Sequence, residues 1–127
     1  MNLPLHYGWL GALEAGLIAL AVGMLAFQLF HALAKKFAWN EGHSIGWSCV
    51  AAVAIAAGID IWNLFYMGVV RLESPVHARM FLQKIHDANG LGIRVFMEII
   101  GAVSGVALGW MIAHRHQGED RSAHVDD

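Results

Sequence analysis

The chain is short of charge. Asp, Glu, Lys and Arg make up 14% of its 127 residues, against ~25% in a typical soluble domain, and they crowd into the ends and two loops. A single cysteine, Cys49, excludes an internal disulfide and leaves no CxxC or other thiol-rich metal site. Lying inside an apolar run, it reads as a small packing residue. Ten acids against eight Lys and Arg leave a net charge of −2 with histidine neutral, so there is no basic surface for nucleic acid. No Lys or Arg precedes Lys35, so the first apolar run lacks the positive n-region of a secretory signal, and it is too long for an h-region. It is expected to be a retained helix. No nucleophile–base arrangement, phosphate loop or dinucleotide fingerprint is present, which argues against a soluble-type enzyme. No internal repeat is evident.

What the chain has is hydrophobic length. Apolar residues make up 57% of it, in three runs at about 7–34, 44–70 and 91–113. Each exceeds the ~20 residues that cross a ~30 Å hydrocarbon core. Three such runs leave too little polar surface to cover them in water. The expected fold is all-α: a three-helix transmembrane bundle forming one integral membrane domain over 1–127, in contact with the lipid bilayer. Lys35 and Lys36 directly follow the first run, which favours the N-terminus outside and the C-terminus inside. Arg71, Arg79 and Lys84 in the second loop pull the other way. A bacterial inner membrane is the expected location. Trp9, Trp39, Trp47, Trp62 and Trp110 fall mostly near run ends, as an aromatic belt does.

Between the second and third runs, Ser74 and Pro75 suit an N-cap and first helical position, and Asn89-Gly90 a stop. Val76, Phe81, Leu82 and Ile85 lean one way and Arg79, Gln83, Lys84 and Asp87 another. This predicts a short interfacial amphipathic helix over about 75–88. The tail, 114–127, is polar and expected to be poorly ordered.

Each long run carries an acid: Glu14, Asp60 and Glu98. An uncompensated charge in the bilayer costs at least ~2.5–3.5 kcal/mol on insertion scales, so each marks a candidate site. At about 100° per residue, Arg94, Glu98, Gly101, Gly105 and Gly109 fall on one stripe of the third run. The double GxxxG spacing lets another backbone approach closely. Gly11, Glu14, Ala21, Gln28 and Ala32 share a face of the first run, and Gly46, Cys49, Val53, Ala56, Asp60 and Asn63 one of the second. At about 1.5 Å per residue, alternating helices bring Glu14, Asp60, Arg94 and Glu98 into the same half of the bilayer. Arg94 and Glu98 are i,i+4 neighbours and suited to pair. Three carboxylates then face one guanidinium. Burial and mutual repulsion oppose ionising them all, so at least one acid should keep a proton or hold a cation.

Eight histidines are many for this length. His77 and His86, with Asp60, Glu98 and His6, offer imidazole and carboxylate ligands for a divalent metal, although no pair has the i,i+4 spacing of a strong metal motif. His31, His43, His114 and His116 lie towards the opposite interface, where they suit a haem edge or anionic lipid headgroups. The stretch His86…Gly92-Ile93-Arg94…Glu98 is faintly similar to the His…Gly-Ile-Arg…Asp stretch of cytochrome b anchor subunits of succinate dehydrogenases, also small three-span proteins. The similarity covers a small part of the chain, His86 is displaced relative to Arg94, and the Ser-x-x-His-Arg haem motif is absent. It implies haem b or quinone as ligands of an anchor subunit. The leading expectation is a non-enzymatic membrane protein whose acidic layer binds or relays protons or a cation. Glu14, Asp60, Arg94 and Glu98 would act in the relay, and Gly101, Gly105 and Gly109 in packing. The protein is expected to work as a homo-oligomer or as a subunit of a larger membrane complex. The alternatives are the redox anchor and a purely structural accessory subunit.

Overall fold

A computed structural model describes residues 3–69, 75–83, 85 and 89–123. In chain order these form α1 (Gly8–Phe37), α2 (Glu41–Val69), α3 (Pro75–Leu82) and α4 (Leu91–Ala123), with no strand among the described residues. α1, α2 and α4 are each long and apolar enough to cross a membrane, which supports an integral membrane protein. A 30-residue helix such as α1 is about 45 Å long, enough to reach both headgroup layers.

The side-chain distribution is that of a membrane bundle. The core is built mostly from small residues: Ala12, Ala15, Ala19, Ala52, Ala56, Ala57 and Ala102 are buried, with Phe27, Ile85, Leu91, Val95 and Val106 the larger apolar members. The large side chains point outward, among them Leu10, Leu17, Leu25, Ile55, Ile59, Trp62, Phe96 and Ile100. In water such a surface would be an aggregation hazard; in lipid it is the solvated face. Without a hydrophobic drive between helices, close backbone contact holds the bundle together, and small residues supply it.

The seam between α1 and α4 is the most extensive. A methyl group at Gly101 would strike the Gly16 carbonyl, one at Gly105 the Leu20 carbonyl, and one at Gly23 the Ala102 carbonyl. Gly109 lies against the Phe27 ring. The glycine stripe of α4 is thus occupied by α1 of the same chain, so it is no longer a reason to expect an oligomer. α2 packs against both other long helices.

The α1–α2 connection is three residues, Ala38–Asn40. Ala38 takes the left-handed conformation (φ 52°) and its N–H, like that of Trp39, bonds to the Ala34 carbonyl. Lys35 and Lys36 stand in the last turn of α1, where cations suit the helix dipole. Asn40 then starts α2: its Oδ1 accepts from Gly42 N–H at 2.8 Å. The tight reversal makes α1 and α2 antiparallel.

Two expectations change. The helix after Pro75 ends at Leu82 rather than near residue 88, because the chain turns there and Ile85 is drawn inward against Leu91 and Val95 of α4. Ser74 lies outside the described residues. The polar stretch from His114 is not irregular, since α4 continues to Ala123. Gly118 is the weakest helix former in that extension, at a cost of only about 1 kcal/mol, and His116 and Glu119 form an i,i+3 pair (Nδ1 to Oε2, 3.8 Å).

Candidate functional site: a buried Asp60–Arg94–Glu98 cluster

Arg94 lies in the first turn of α4, its N–H bonded to the Gly90 carbonyl. One turn further on, Glu98 projects from the same face. Below it, Gly101 and Gly105 bring α1 to backbone contact. Asp60 faces the pair from α2, on the buried stripe that also carries Ala52, Ala56 and Ala57. The guanidinium Nε is 3.3 Å from Asp60 Oδ2 and 3.6 Å from Glu98 Oε1. Relative exposures of the three residues are 1% for Asp60, 3% for Arg94 and 0% for Glu98. A further N–H of Arg94, on Nη2, donates to the Leu3 carbonyl at 3.1 Å. The cluster therefore ties α2, α4 and the segment before α1 together.

Its electrostatics follow from the inventory. Two carboxylates share one guanidinium in a medium that penalises any net charge. Arg94 offsets one of the two negative charges that the ionised acids would carry, and each of the three residues has further interactions. The always-charged arginine bridges acids from two helices.

Glu14 is not part of this arrangement. It stands off the inward stripe of α1, which is Gly11, Ala12, Ala15, Gly16, Ala19 and Gly23. Ala21, Gln28 and Ala32, expected on its face, are exposed. Glu14 meets His6 instead: His6 N–H donates to Oε2 at 3.2 Å and ring Nδ1 to Oε1 at 2.6 Å, with side-chain exposures of 36% for Glu14 and 72% for His6. The Leu3 carbonyl is an arginine partner with no trace in the residue pattern, since a backbone group carries no residue signature. The His6–Glu14 pair had one available signal, the glycine at position 8 that lets the chain fold back.

At the opposite end of the bundle a second polar group joins α2 to α4. Glu41 Oε1 accepts from Trp110 Nε1 at 2.8 Å and lies 3.2 Å from His114 Nε2. The Trp110 and His114 rings are 4.5 Å apart. Glu41 and His114, with His31, Ala34, Lys35, Trp39, Ser44 and Gln117, line a cleft of about 280 Å³. Ser48 Oγ donates to the Ser44 carbonyl nearby. Trp9, Trp39, Trp47, Trp62 and Trp110 are all exposed on the outside of the bundle.

No three His, Cys, Asp or Glu side chains among the described residues come together as a metal site. His6 is engaged by Glu14 rather than grouped with Asp60 and Glu98. The side chains of His77 and His86 lie outside the described residues. Comparison with protein-family models, with curated proteins and with solved structures gives no match.

Proposed function

We propose that the protein is a small polytopic membrane protein that binds and relays protons, or a monovalent cation, through Asp60 and Glu98, with Arg94 holding the two acids in register. The supporting observation is the placement of two carboxylates within 3.3 and 3.6 Å of one guanidinium, all three nearly excluded from solvent inside membrane-spanning helices. Buried intramembrane acids are costly, and such groups characteristically line ion pathways. Glu14, paired with the exposed His6 and itself part-exposed, suits a donor role on that side. The Lys35–Lys36 pair supports an orientation with its end of the bundle inside and the cluster nearer the outside, and a bacterial inner membrane is the location in this proposal. Work within a homo-oligomer or larger complex belongs to the same proposal.

The test is proton or cation flux into vesicles reconstituted with the full chain. Asp60→Asn and Glu98→Gln should each reduce flux by about a hundredfold or more, the order expected when an acid–base group is lost. Flux equal to that of the unaltered protein in both variants would exclude the reading.

One observation favours a structural reading beside it. Arg94 is ion-paired with α2 and with its own helix and hydrogen-bonded to Leu3, as a staple would be. A staple without transport predicts loss of the folded bundle, or of a co-purifying partner, in Asp60→Asn, and no flux in any variant. Haem b or quinone as ligand of an anchor subunit is tested on the same sample by its optical spectrum.

A further inference from the structure

The segment before α1 is fixed at three points. The Leu3 carbonyl accepts from Arg94 Nη2. His6 binds Glu14 through both its backbone N–H and its ring. The His6 carbonyl is seated over Gly11, where any Cβ would collide with it. Gly8, with φ +69°, makes the reversal that lays this segment back along α1; for a residue with a Cβ, left-handed backbone costs about 1–2 kcal/mol. Four separate residues thus agree on one placement of the segment.

The placement has a consequence for the cluster. Arg94 is in the first turn of α4, close to where the helix leaves the membrane. An arginine in that position ordinarily extends its head group to interfacial water. Here the guanidinium is turned inward and 3% exposed, and a carbonyl from a distant part of the chain takes one of its N–H groups. His6 and Glu14, by contrast, remain open to the outside.

We infer that segment 3–7 is a strap that closes the Asp60–Arg94–Glu98 cluster against water, with the His6–Glu14 pair as its latch. The strap is held to the cluster by a backbone carbonyl, and to α1 by a solvent-accessible pair that can open without disturbing the bundle. Closure stands on geometry alone. Only its consequence, gating of flux, rests on the relay proposed above.

The experiment measures access rather than transport. The full chain in lipid nanodiscs is treated with a water-soluble carbodiimide and an amine, and modification of Asp60 and Glu98 is read by peptide mass spectrometry. Glu14→Ala removes both acceptors of the latch. Gly11→Ala pushes the His6 carbonyl off its seat. Gly46→Ala, where a Cβ meets nothing within 4 Å, is the control. Labelling of Asp60 or Glu98 should rise about fivefold or more in Glu14→Ala and in Gly11→Ala, the factor expected for losing one hydrogen bond from the closed state, and should stay at the level of the unaltered protein in Gly46→Ala. If Gly11→Ala does not fold, Glu14→Ala decides. Unchanged labelling in Glu14→Ala, or rapid labelling of the unaltered protein, overturns the strap. Increased labelling with no flux in any vesicle keeps the strap and removes the relay. Flux with unchanged labelling does the reverse.

Discussion

Arg94 of α4 and Asp60 of α2 are joined across the bundle, Nε to Oδ2 at 3.3 Å, above a core in which alanine and glycine predominate. Small residues let the helices touch but do little to fix their register. An ion pair reaching between two helices does fix it, and in lipid its loss leaves a charge with no water to turn to.

That pair makes a prediction about stability. Arg94→Met keeps the side-chain volume and removes the cation, leaving two buried carboxylates facing each other. The expected loss is about 3–5 kcal/mol, the range for breaking a buried pair from one side, towards the lower end because an acid can take up a proton. Adding Asp60→Asn to Arg94→Met removes one stranded acid and should recover at least about 1 kcal/mol. Unfolding free energies of the single and double variants, measured in the same bilayer or detergent, check this. Strictly additive losses would mean that Arg94 and Asp60 do not interact energetically.

The glycine seam makes a second. Gly101→Ala and Gly105→Ala each place a methyl group against a carbonyl of α1, and Gly23→Ala does so from the other side. Backbone cannot yield as a flexible side chain does, so the helices must separate, at a cost of about 1–3 kcal/mol per site. Gly58→Ala and Gly92→Ala meet nothing within 4 Å. They should be neutral or gain up to about 1 kcal/mol from helix propensity. Thermal midpoints of the five variants separate the two groups; a common value for all five would contradict the packing of α1 on α4.

Much of this was legible from residue order, and the exceptions have a physical cause. Three apolar runs dictate three spans because length and hydropathy are properties of a segment by itself. On α4, Arg94, Glu98, Gly101, Gly105 and Gly109 fall on a single line, so only one face can turn inward. On α1 the small residues lie on more than one line. Ala21 and Ala32 accompany Glu14, whereas Gly16, Ala19 and Gly23 form a second stripe. Which stripe turns inward is decided by the partner, because the α4 glycines fit against Gly16, Leu20 and Gly23. Angular projection of one helix cannot carry that information. Glu14 was therefore expected beside Asp60 and is found beside His6. The length of α4 was underestimated for a related reason: polarity marks where the membrane ends, and a helix without a breaker continues past that point.

The third prediction contrasts two polar groups at opposite ends of one bundle. Glu41 touches Trp110 and His114 at distances as short as those in the buried cluster, yet its side chain is 51% and that of His114 43% exposed. Water screens an exposed pair and solvates either partner once the other is gone, so such pairs contribute about 0–1 kcal/mol. Glu41→Gln, His114→Ala and Trp110→Phe should each lower stability by no more than that. Their effects should shrink further in high salt for the two variants that remove a charge partner. Arg94→Met should keep its larger loss at any salt concentration, because ions do not enter its surroundings. Unfolding measured at low and high salt for all four variants tests the ordering. A Glu41→Gln loss comparable to that of Arg94→Met would show that proximity, rather than exclusion from water, sets the strength of these contacts.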